Sequence, residues 1–119
     1  MRYFNADEAE SLAQQVLALA EWWECEIQTT IDYPGWQPAF DNPLLDLTRG
    51  VYEELFTSAP AIKAIHAGLE CGILKSKKEH MDIVSFGPTI RGAHSPRERL
   101  EIATVKPFWT LLVRLLERL

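Results

Sequence analysis

Two short segments of the chain combine glycine with side chains able to do chemistry. The first is His66-Ala67-Gly68-Leu69-Glu70-Cys71-Gly72. Glycines let a backbone approach a ligand closely, and the free N–H groups of a helix start attract carboxylates. A tight strand-to-helix turn without any ligand needs the same glycines. His66 and Glu70 would lie on one face if the segment were helical, but two donors do not make a metal site.

The second segment is Gly87-Pro88-Thr89-Ile90-Arg91-Gly92-Ala93-His94-Ser95-Pro96-Arg97-Glu98. Ser95 followed three residues later by Glu98 is a capping box, and Pro96 suits the first helical position. This pattern predicts a helical turn from Ser95, with the His94 imidazole at its lip. A histidine held so can be a metal ligand, a general base or a pH-sensitive donor. An exposed loop histidine beside a capped helix has the same sequence. Arg91 is either a solvated charge or a carboxylate clamp, because its planar fork binds carboxylates bidentately.

The elements that must position these residues alternate in type. Asn5 and Glu8 open a helix whose apolar residues Ala9, Leu12, Ala13, Val16, Leu19, Ala20 and Trp23 recur at helical spacing. Residues Cys25 to Tyr33 read as a strand, ended by Pro34-Gly35-Trp36-Gln37-Pro38. Asn42-Pro43 caps a second helix buried through Leu44, Leu47, Val51, Leu55 and Phe56, with Gly50 inside it. Ala61 to Ala67 reads as a buried strand, a helix follows to about Lys77, and Met81 to Phe86 reads as another strand. The last helix carries Val105, Phe108, Trp109, Leu112, Leu115, Leu116 and Leu119 as one stripe. Helix and strand in alternation predict α/β packing.

Composition narrows the function classes. At 119 residues the chain has the size of one domain, and 47% hydrophobic with 24% charged residues is globular usage. A net charge of -5 argues against nucleic acid as a partner. No membrane-spanning run and no signal peptide are predicted, which sets a cytoplasmic expectation with Cys25 and Cys71 as buried thiols. His80 reads as solvated, Trp22, Trp23, Tyr33 and Trp36 as core or interface, and Glu21, Glu24 and Glu26 as a solvated helix end.

Four strings in order carry a resemblance: YPGW at Tyr33–Trp36, AIHAGLECG at Ala64–Gly72, SFGPTIRGAHSP at Ser85–Pro96, and PFWTLL in the final helix. Together they resemble the aminoacyl-histidine dipeptidases, a branch of the carnosinase/aminoacylase-type metallopeptidases. The resemblance implies an α/β fold: the C-terminal portion of a metallopeptidase catalytic domain, preceded by the end of a two-layer α+β lid. Residues 1–40 would end the lid and residues 41–119 would belong to the catalytic domain. Such enzymes use two divalent ions, usually zinc, to polarise the peptide carbonyl and activate a bridging water.

By the same resemblance His94 matches the last histidine ligand of that centre, and His66, Glu70 and Arg91 lie near the dipeptide substrate. Departures from the family pattern are Arg97, where an acidic residue is expected, and the basic Lys75–His80 stretch. The larger departure is the missing donor set of the catalytic domain's first half: a His-x-Asp motif, a Glu-Glu pair and a further acid. His80-Met81-Asp82 falls in the wrong order, and Glu53-Glu54 reads as helix surface. The expectation is a dipeptidase fragment, without metal or activity by itself. Its partner would be a second copy or a complementary N-terminal half. The alternatives are a non-catalytic assembly module that oligomerises, or a subunit completed by that separate half.

Overall fold

A computed structural model of the chain describes residues 3, 5–30, 34–64 and 70–119. In order these form α1 (Ala6–Trp22), α2 (Pro43–Phe56), α3 (Glu70–Lys77), β1 (Ile90–Arg91), β2 (Arg99–Leu100), a 3-10 turn (Ile102–Thr104) and α4 (Val105–Leu116). They divide into two compact units. One holds Met1–Ala39 with Lys63–Ile83, the other Phe40–Ile62 with Val84–Leu119.

The helices start where their caps predict. The Asn5 side-chain oxygen accepts from the N–H groups of Asp7 at 2.9 Å and Glu8 at 3.2 Å. Asn42 does the same for Leu45 at 2.6 Å, with Pro43 in the first turn, where its missing N–H costs nothing. Thr57 ends α2 in the left-handed conformation and donates its N–H to the Glu53 carbonyl.

In the first unit, α1 buries only Ala9 among its residues. Leu12, Val16 and Leu19 remain exposed, as do Trp22 and Trp23, which meet edge-on. The expected apolar face of α1 therefore exists but is uncovered. Gly72, in the first turn of α3, is buried because Pro34 crosses it: an added Cβ would collide with the Pro34 carbonyl oxygen. One of the two glycines around Glu70 thus serves a backbone crossing.

The second unit holds the core. Val51 of α2 is wholly buried against Leu111 and Leu115 of α4, with Leu47, Tyr52, Leu55, Phe56 and Phe86 packed around them. Phe86 meets Phe108 of α4 with centroids 5.8 Å apart. The buried face of α4 is thus Phe108, Leu111 and Leu115, while Trp109, Leu116 and Leu119 are exposed. The expected stripe is displaced toward Leu111, because the position of α2 selects the face. The Glu54 carboxylate and Arg118 guanidinium close the end of this pair with two parallel contacts, 2.8 and 2.5 Å.

The strands differ from expectation. Residues 25–30, 61–64 and 81–86 form no ladder, and residues 31–33 and 65–67 of those segments lie outside the described residues. Apolar alternation specifies a strand only when a neighbour supplies hydrogen bonds, and no described segment does so here. Cys25 is accordingly exposed and Cys71 half-buried, rather than both buried. The observed ladder is instead the antiparallel pairing of Ile90 with Leu100 and Arg91 with Arg99. Among the described residues no helix is long and apolar enough to cross a membrane.

Two tests follow from the second unit. A Cβ on Gly50 would meet nothing within 4 Å, so Gly50→Ala should raise stability by about 0.5–1 kcal/mol in urea unfolding. A decrease would show that α2 is not continuous there. The hydrogen bonds from Arg118, more than its charge, hold the Glu54 carboxyl below the ordinary glutamate range. A carboxyl lowered on folding stabilises above its unfolded pKa and loses that contribution as pH falls through its folded pKa. The melting temperature of Glu54→Gln should therefore lie below that of the native chain near neutral pH, and the gap should close on acidification. Parallel profiles down to strong acid would show the pair to be inert.

Candidate functional site

The second of the two chemical segments folds into a hairpin that presents His94. β1 and β2 bring Arg91 opposite Arg99, and the Glu101 N–H extends the ladder by donating to the Thr89 carbonyl at 2.9 Å. Thr104 locks the hairpin base: its Oγ1 accepts from the Thr89 N–H at 2.9 Å and donates to the Glu101 carbonyl at 2.7 Å. The hairpin is exposed throughout, so local polar bonds rather than burial hold its shape.

Between the strands the chain makes two successive turns instead of the helical turn predicted from Ser95. The Ser95 hydroxyl donates to the Gly92 carbonyl at 2.7 Å and accepts from the Arg97 N–H at 3.2 Å. Glu98 reaches back as a capping-box acid does, but one residue further. Its carboxylate accepts the N–H of His94 at 2.7 Å, while the Ser95 N–H donates to the Gly92 carbonyl. Return of the chain to pair as β2 leaves no room for a helix after Pro96.

His94 has φ 61° and Gly92 φ 63°, both in the left-handed region. Glycine adopts it freely; for histidine it is uncommon and costs energy. At Gly92 a Cβ would also lie 3.2 Å from the Ser95 hydroxyl and the Arg97 carbonyl oxygen. Among the described residues Glu24 and Thr57 share this conformation, each just after a helix, whereas His94 adopts it within a hairpin loop.

The other candidates have distinct settings. Arg91 directs its Nε and Nη2 to the Glu101 carboxylate at 3.2 and 3.1 Å, on an exposed face shared with Arg99. Glu70 is exposed at the first residue of α3, where a negative charge suits the helix dipole. It belongs to the other compact unit from His94 and Arg91. His66 lies outside the described residues.

A metal needs donors gathered from several elements. Among the described residues no three His, Cys, Asp or Glu side chains gather in that way. The exposed imidazole of His94 fits one ligand position; the described donor set does not fit a complete centre. Glu53 and Glu54 are paired with Arg49 and Arg118 on the helix surface, and His80 and Asp82 are exposed. Sequence reasoning missed Thr104, whose only signal is a hydroxyl just ahead of the last helix. It also missed the bond from Glu98 to the His94 backbone, although the Ser95–Glu98 spacing pointed to a nearby one.

No family model matches the chain. The cytosol non-specific dipeptidase of Escherichia coli (strain K12) is 51% identical over 87 residues, which cover 73% of this chain and 18% of that enzyme. The crystal structure of aminoacylhistidine dipeptidase from Vibrio alginolyticus aligns with a TM-score of 0.79 at 39% identity, covering 98% of this chain and 24% of that one. Identity and shared fold at this level mean that the chain belongs to the family of these dipeptidases, as an α/β fragment of the fold. It spans less than a quarter of the length of either relative.

Substitution at the hairpin tip separates backbone strain from side-chain contacts. His94→Gly should stabilise the chain by about 0.5–1 kcal/mol, because glycine carries no penalty at positive φ. His94→Ala, which keeps the Cβ and the N–H bond to Glu98, should stay within about 0.5 kcal/mol of the native chain. Denaturant melts of both variants decide it: a destabilised glycine variant would mean that His94 is not strained.

Proposed function

We propose that this chain is the C-terminal part of a metal-dependent dipeptidase that hydrolyses dipeptides with a C-terminal histidine, and that His94 supplies one metal ligand. The observation that carries the reading is an exposed histidine held at φ 61° within a chain 51% identical over 87 residues to a dipeptidase. Zinc is the proposed ion, since imidazole is a favoured ligand for it. The remaining donors and the water-activating acid come from parts of the enzyme not represented among the described residues. The chain alone is therefore inactive.

On this reading residues 1–40 end a lid and residues 41–119 belong to the catalytic domain. The break between compact units at Ala39 and Phe40 supports that boundary, although Lys63–Ile83 groups with the earlier residues. Arg91, Glu70 and His66 lie toward the substrate. Arg91 is paired with Glu101, so a substrate carboxylate would have to displace that partner to use its guanidinium. The enzyme is cytoplasmic, in keeping with the relative named as a cytosol dipeptidase.

A second reading is an assembly module that oligomerises without catalysis. Exposed Trp22, Trp23, Trp109, Leu116 and Leu119 favour association under either reading, with a second copy or with the complementary N-terminal half. The purified chain should hydrolyse no histidine-containing dipeptide with zinc, manganese or cobalt, and should sediment as more than a monomer. Adding the N-terminal part of a family enzyme should restore turnover, and His94→Ala in this chain should abolish it. Restored turnover that survives His94→Ala would remove the ligand assignment, and a strictly monomeric, inert chain would remove association.

A further inference from the structure

We propose that Glu98 is the positioning residue for His94. It acts through the backbone and not through the imidazole. This rests on the reading of His94 as a working ligand, but the structural claim can be tested separately.

A residue at positive φ reverts to an ordinary conformation unless its surroundings over-determine it. Around His94 the restraint is asymmetric. Ser95 secures the residues on either side: its hydroxyl joins Gly92 to Arg97, and its N–H also donates to the Gly92 carbonyl. The Ser95 N–H bond to the Gly92 carbonyl closes a four-residue turn with Ala93 and His94 at its centre, so it shares in restraining the φ of His94. No atom of His94 takes part in these bonds. The contact that engages it directly is the 2.7 Å bond from the His94 N–H to the Glu98 carboxylate, short and charge-assisted.

Glu98 lies immediately before β2 and donates its own N–H to the Ser95 carbonyl at 3.0 Å, which holds its backbone. The carboxylate is therefore an anchored acceptor for the N–H that His94 presents at φ 61°. Rotating φ to a negative value would swing the following residues, Glu98 among them, relative to that N–H and separate donor from acceptor. The direction of the Cα–Cβ bond, and with it the reach of the imidazole, is set by the same torsion. The side chain itself stays exposed for an external contact.

The test uses the full chain labelled for NMR, with Glu98→Ala, Glu98→Gln and Ser95→Ala. A strong intraresidue amide-to-α-proton NOE reports positive φ, and amide exchange reports the acceptor. Glu98→Ala should lose the NOE at His94 and exchange that amide roughly tenfold faster, the scale of losing a charge-assisted bond. Glu98→Gln keeps an acceptor oxygen and should retain the NOE. Ser95→Ala should loosen Gly92 and Arg97 while leaving His94 at positive φ. If Glu98→Ala preserves both the NOE and slow exchange at His94, the proposal is wrong. Titration with nickel tests the underlying reading independently: ring protons of His94 should broaden first, and His94→Ala should abolish the effect. Failure there would remove the ligand role without altering the NOE and exchange results.

Discussion

Packing of Val51 against Leu111 and Leu115 is the contact on which the second unit depends. It joins helices far apart in sequence through a small set of aliphatic side chains, and the base of the hairpin is tied to the start of the second of them. α4 follows directly from the 3-10 turn, and Thr104 at that junction ties the hairpin base by two hydrogen bonds. A shift of α4 on α2 would therefore be felt at Thr89 and Glu101, the residues that extend the ladder. The Glu54–Arg118 fork adds direction to this contact at the solvent edge, where ion pairs stabilise little but restrict geometry.

The hairpin uses a different kind of force. With its residues exposed, burial cannot choose its conformation, so local polar groups do. Ser95 closes the turn, Glu98 holds the His94 N–H, and Gly92 accepts a conformation where a Cβ would crowd Ser95 and Arg97. Strain at His94 is the counterpart of this arrangement. Functional side chains are often found where local bonds outweigh backbone preference, because the reward is direction and not stability. The apolar residues left exposed on α1 and α4 have the opposite character. They carry burial energy that these elements do not use.

Local signals in the sequence read well where the physics is local. Asn5 and Asn42-Pro43 identify helix starts because a side-chain oxygen and a missing N–H act within one turn. The four family strings identify the family because a rare ordered set of residues needs no coordinates to be compared. His94 stands out for the same reason, framed by glycine, serine and proline. Strands were less legible: residues 25–30, 61–64 and 81–86 have strand-like composition, yet a strand exists only with a partner. The two-residue ladder at Ile90–Arg91 and Arg99–Leu100 is too short to leave a periodic signature.

Sequence alone determined the caps, the apolar periodicity of the helices and the identity of His94 as the residue to watch. Each of these depends on neighbours within a few positions. Tertiary structure decided which stripe of α4 is buried, since only the place of α2 selects Leu111 over Trp109. It also decided that the Ser95–Glu98 motif closes a hairpin rather than starting a helix. Pairing of Arg91 with Arg99 turns the chain back at Glu98, and the carboxylate then meets the N–H of His94 instead of that of Ser95.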